Sequence, residues 1–209
     1  MLPVQAANDR SHRSYEMRKT VLVLTVATLF LLTASGISSA NDDDAVKNTG
    51  TRIESFLNQK GRLLIKDVYI LGKVSGLYSS SGAITAIITY EPGDKENSLK
   101  GLLFEINEGQ SDEKSHSSYL DIEEIEDLSA GIASIVRLAE AREKTENSFT
   151  EIVYTTRDNL SFGVYLGEAE KEAFITTGGP EKLTVFLEPG RMGEVKRIVD
   201  YGHTLLKMK

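Results

Sequence analysis

Two apolar stripes of one phase, 67 residues apart, constrain this chain more than any other feature. Ile125, Leu128, Ile132, Ile135 and Ala139 recur at steps of three, four, three and four residues. That is the spacing of one face of an α-helix. Adding 67 to each number gives Met192, Val195, Val199, Gly202 and Leu206, so four of the five positions are apolar again and the fifth is glycine. Leu120 likewise maps to Leu187, ahead of each stripe. Two helices that share a phase point to one unit used twice.

Strand patterns precede each helix. The run GRLLIKDVYILGKV (61–74) is rich in Leu, Ile, Val and Tyr, and is longer than an average strand, so a bend or bulge is expected in it. LYSSSG is turn chemistry, and AITAIITY is a strand ended by Pro92-Gly93. In LKGLLFEINEG, Leu102, Phe104 and Ile106 alternate with Leu103, Glu105 and Asn107, the period of a half-buried strand. SSYLDI is a short strand leading into the first helix. The second half repeats the order. SFTEIVYTT is a strand, Asp158-Asn159 a turn, and LSFGVYLGE places Leu160, Phe162, Val164 and Leu166 on one face. EAFITTGG is a strand closed by Gly178-Gly179-Pro180, and KLTVFLEPG aligns Leu183, Val185 and Leu187. Pro189 suits the first turn of the last helix. These patterns predict an α+β domain over 61–209, built from two repeats (61–143 and 148–209). Each repeat is a ββββα unit, and the antiparallel sheets pack on two amphipathic helices. Residues 41–60 are a polar leader, in which TRIESFLNQ is expected to form a short helix through Ile53, Phe56 and Leu57.

Four strands and a helix, twice over, resembles the arrangement in Whirly-type single-stranded DNA-binding proteins, across residues 61–207. The likeness is one of element order, and a lysine-rich signature such as KGKAAL is absent. The resemblance therefore implies a fold and an alternative function, single-stranded nucleic-acid binding, but carries over no site residue.

The first 40 residues differ in kind. Arg18 and Lys19 precede an apolar run from Val21 to Leu32, and Ser38-Ser39-Ala40 supplies small residues at a cleavage site. A basic segment, a short apolar core and small residues make a signal peptide, and twelve apolar residues are too few for a bilayer span of about 20. Cleavage after Ala40 is expected, a retained anchor being the alternative, and Met17, which opens MRKT, is an alternative start. Removing 1–40 takes Arg10, Arg13, Arg18 and Lys19 from 24 basic residues, and Asp9 and Glu16 from 31 acids, leaving a formal charge of −9. Nucleic-acid binding rests on phosphate neutralisation, so this acidic balance disfavours it. The chain has no cysteine, so the exported domain relies on its core.

Each candidate site competes with a structural role. Asp121, Glu123, Glu124, Glu126 and Asp127 lack the spacing of a calcium loop. Asp121 with Glu124 three residues on fits a capping box, and acids suit the positive end of a helix. Glu123 and Glu126 are expected to face water. Asp42-Asp43-Asp44 reads as a solvated tail. His116 and His203 form no ligand pair, so no metal is expected. No G-x-S-x-G elbow is present. GRMG (190–193) has the glycine spacing of a nucleic-acid clamp, yet it opens a helix and reads as a turn. Tyr69 and Tyr154 occupy equivalent strands of the two repeats, where aromatics either stack a ligand or pack on a helix. They are the candidate binding residues. The leading expectation is an exported, periplasmic or extracellular, non-enzymatic domain with a binding or structural role and no cofactor. Nucleic-acid binding is the alternative, and a hydrolase using paired carboxylates is a third reading.

Overall fold

The computed structural model describes residues 50–108, 114–142, 149–167, 171–178 and 182–209. The expected signal peptide, the Asp42–Asp44 triplet and the rest of 41–49 in the polar leader lie outside the described residues. A short helix, α1 (Arg52–Leu57), precedes four strands: β1 (Ile65–Ser75), β2 (Ser80–Tyr90), β3 (Leu99–Glu108) and β4 (Lys114–Asp121). The helix α2 (Ile125–Ala141) follows, then β5 (Thr150–Thr155), β6 (Ser161–Leu166), β7 (Lys171–Thr176), β8 (Thr184–Leu187) and α3 (Met192–Met208). Each set of four strands forms one antiparallel sheet in sequential order. The chain is thus α+β, with two tandem ββββα units.

All ten stripe residues are buried on α2 and α3. Each helix is entered through a single 3-10 turn, Ile122–Glu124 or Pro189–Arg191. The overlong first strand carries the expected irregularity, a register shift between Ile70 and Gly72. The turn in LYSSSG ends earlier than its composition implies. Tyr78 and Ser79 take left-handed backbone angles and Ser80 already begins β2.

The two helices pack on each other, and each covers the sheet of the opposite unit. Helix α2 lies on β5 and β6, while α3 lies on β1, β2 and β3. Two close approaches fix this exchange. The ring of Tyr154 on β5 lies over Gly131 of α2, where an added Cβ would meet ring carbons at 2.6 and 2.7 Å. The methyls of Leu71 and Leu102 lie over Gly202 of α3, which explains why one stripe position carries no side chain. Ser129 on α2 donates to the carboxylate of Asp200 on α3 at 2.5 Å, a polar tie between the helices. One apolar core therefore runs through both units, from Ile84, Leu102 and Phe104 to Phe162, Val164 and Val185.

A second, smaller core lies on the other side of the first sheet. There α1 sets Ile53 against Ile87 and Leu103, with Leu57, Leu99 and Tyr119 at its margin. Among the described residues, no helix packs in this way on the outer side of the second sheet.

Candidate functional site

In the acid-rich stretch 121–127, Asp121, Glu123 and Glu124 make structural contacts, but not in the manner of a capping box. Asp121 starts the 3-10 turn before α2, and its side chain makes no capping bond there. Its carboxylate is 1% exposed and turns instead to α1. One oxygen accepts from the backbone N–H of Arg52 at 2.8 Å and the other from that of Ile53 at 3.1 Å. Asp121 thus caps a helix 69 residues earlier in the chain. Thr51 caps the same helix locally, accepting from the N–H of Glu54. Two guanidinium groups close over Asp121, Arg52 at 3.7 Å and Arg157 at 3.5 Å. Arg52 also pairs with Glu123, which does not simply face water, and Arg157 pairs with Glu124. Glu124 accepts in turn from the N–H of Arg157. This clasp joins α1, the start of α2 and the β5–β6 turn.

A cleft of about 420 Å³ opens beside the clasp, lined by Thr51, Arg52, Ser55, Phe56, Leu99 and Arg157 among others. Its lining contains no carboxylate. Its two arginines already face three acids, which leaves no surplus positive charge for an anionic ligand. The neighbouring Asp158 accepts from the N–H of Tyr119 at 3.0 Å. Burial pushes the Asp158 carboxyl above its usual range and the Glu54 charge raises it further, against the lowering effect of that hydrogen bond. No group of three or more His, Asp or Glu side chains suited to a metal ion occurs among the described residues.

Tyr69 and Tyr154 both lie on the helix-facing side of their strands, packed against the main core. Tyr154 covers Gly131 of α2, and burial, followed by the charges of Asp127 and Glu124, raises its hydroxyl pKa. The ammonium of Lys209 lies 5.4 Å from the centre of the Tyr69 ring. The structure places these two residues in separate sheets and does not bring them to one surface.

The aromatic residues that do share a surface are on the outer face of the second sheet. Strand register arranges that face in three rungs. Glu151, Tyr165 and Glu172 form the first, with the two carboxylates on either side of the tyrosine. Val153, Gly163, Phe174 and Phe186 form the second. The third consists of hydroxyls, Thr155 with Ser161 at 3.0 Å and Thr176 with Thr184 at 2.9 Å. Gly163 has no side chain, and the Phe174 ring occupies the space a Cβ would fill. The Tyr165 and Phe174 rings stack with centres 4.4 Å apart and planes 20° apart. Phe149, ahead of β5, extends the stack at 5.3 Å from Tyr165 and is 67% exposed. From the β1–β2 turn, Tyr78 meets Phe186 edge-on at 6.1 Å, donates to Glu172 at 3.1 Å, and is 76% exposed. Burial and the charge of Glu151 raise the Tyr165 hydroxyl pKa. A signal for this face was present in the sequence. In SFGVYL, Phe162, Val164 and Leu166 share the inner face, which leaves Tyr165 on the outer one, whereas Phe174 stands in the unbroken apolar run Ala173-Phe174-Ile175 and carries no such mark.

No family model, curated protein or solved structure matches this chain.

Proposed function

We propose that this protein is an exported, non-enzymatic binding domain that holds its partner on the outer face of the second sheet. The observation that carries this reading is the asymmetry between two similar sheets. The outer face of the first is covered by α1, through Ile53 over Ile87 and Leu103. The corresponding face of the second sheet carries a five-ring aromatic cluster with two strongly exposed members, Phe149 and Tyr78. An exposed aromatic cluster rimmed by polar groups is the composition of an interaction surface. Its carboxylates also rank nucleic acid second, because phosphates are held by cations and Glu151 and Glu172 repel them. The export part of the reading rests on Arg18-Lys19, the short apolar run and Ser38-Ser39-Ala40.

Site-specific photo-crosslinking tests the binding role. A photoreactive phenylalanine analogue at position 149, in the producing cell, should yield one discrete crosslinked species. The same analogue at exposed Leu63, on the other sheet's flank, should yield none. Equal or absent crosslinking from both positions refutes the assignment of this face.

A further inference from the structure

We infer that this chain assembles with copies of itself head to tail, the β1 edge of one copy pairing with the β5 edge of the next. The inference goes beyond the binding role of the aromatic face and does not rest on it. Three observations carry it.

The first is which edges are open. The two sheets have four edge strands, β1, β4, β5 and β8. Two of them are used inside the chain. At β4, Asp158 accepts from the N–H of Tyr119, and at β8 the N–H of Leu77 donates to the carbonyl of Phe186. Among the described strands, β1 pairs only with β2 and β5 only with β6. The second is exposed apolar surface. On the outer face of β1, Val68 and Ile70 are 52% and 79% exposed, and Val153 on β5 is 48% exposed. An open edge of this kind is a template for another strand, and proteins blunt such edges with charge. The third is the sign of that charge. The outward charges are Lys66 and Lys73 on β1 and Glu151 on β5. Each edge therefore repels its own copy and attracts the other.

Antiparallel pairing with Val68 opposite Val153 shows the match. Ile70 then lies opposite Glu151, with Val153 and Phe149 on its diagonals. Past the register shift after Ile70, Lys73 comes level with Phe149 and diagonal to Glu151, within reach of a long side chain. Its ammonium meets a carboxylate beside an exposed ring. On the inner side, Tyr69 falls opposite Ile152, and both already border the core. After Thr155 the next copy's chain turns back into β6, so Leu63 has no strand beside it. The contact joins unlike patches, so every added copy leaves one β1 and one β5 edge open, and the assembly grows or closes into a ring.

The test is analytical sedimentation of the full chain, purified from producing cells, over a rising concentration series. The weight-average mass of the parent should climb with concentration. Lys73→Glu and Glu151→Lys shift the net charge in opposite directions, yet each sets like charges at the contact. Both should weaken association at least about fivefold. The double variant Lys73→Glu/Glu151→Lys regains opposite signs and the parent's net charge, and should recover association. That recovery also shows that neither change harms the fold. A parent that stays monomeric at the highest concentration overturns the proposal. So does association that survives Lys73→Glu but not Glu151→Lys, which means that β5 pairs with its own copy. Association that survives both single changes, or fails to return in the double variant, overturns it as well. No other protein is present in this experiment, so its failure would leave a partner captured at position 149 untouched.

Discussion

Removing the Asp121 carboxylate should cost several times what an ordinary helix cap contributes. In Asp121→Ala the first two N–H groups of α1 lose their acceptor, and Arg52 and Arg157 lose a common counter-charge. A hydrogen bond to a charged acceptor contributes about 1.5–3 kcal/mol, so two set an upper range of about 3–6 kcal/mol. The arginines are about half exposed, and water replaces their partner at little cost. α1 has only six residues and can loosen to let water reach its N–H groups. The expected loss is therefore near the lower end, about 3 kcal/mol. For a chain of this size that lowers Tm by about 6–12 °C. Asp121→Asn keeps one oxygen acceptor and should lose about half as much. Urea unfolding followed by circular dichroism measures all of this, with Glu126→Gln as the control at an exposed acid of the same stretch. A loss below about 1 kcal/mol for Asp121→Ala, within the range of an exposed cap, would show that the clasp does not hold α1 in place.

Four further outcomes follow from the packing, the charges and the expected export segment. Gly131→Ala should lower stability by about 1–2 kcal/mol, because displacing the Tyr154 ring outweighs the gain in helix propensity; a rise in the urea midpoint would refute the close contact. A raised folded pKa favours the fold below the unfolded value, and that support is lost as pH rises through the folded one. Asp158 is such a group, so Asp158→Asn should keep or increase stability at pH 7 and flatten the pH dependence above 3.8, checked by urea midpoints across pH. For Asp200, burial is outweighed by the Lys196 and Ser129 hydrogen bonds and the Lys196 and His203 charges, so its pKa is lowered. Its contribution should hold above 3.8 and fade as pH falls through the lowered value, and Asp200→Asn should remove that acid loss. N-terminal sequencing of the exported form should begin at Asn41 or within a few residues, and a product retaining Val21–Leu32 contradicts cleavage.

The helices were legible because burial imposes a period, and Ile125 to Ala139 and Met192 to Leu206 follow it without interruption. Period alone does not name the surface that a stripe covers. Nothing in either stripe says that α2 faces β5 and β6 while α3 faces β1 to β3. The same gap misdirected Asp121. Glu124 stands three residues on, so a local capping box satisfied the sequence, and the actual partners are 68 and 69 residues away. The aromatic face was half legible. Alternation marks Tyr165 as outward but not Phe174, which stands in the apolar run Ala173-Phe174-Ile175, and the rung that sets Tyr165 between Glu151 and Glu172 exists only once β5, β6 and β7 are in register.

The exchange of helices also sets an order of completion in time. The first sheet is finished by α3, which follows all eight strands in the chain. A chain that emerges from its N-terminus, from a ribosome or through a membrane pore, has made all of β1 to β4 long before the residues that cover them arrive. Until Met192–Met208 is free, the inner side of that sheet has no helical cover of its own, and α2 waits equally for β5 and β6. The cover of the first sheet is therefore completed late, when α3 is released. A stop codon that removes only the last helix should strand the first sheet rather than the second, although the second is nearer in sequence to the cut.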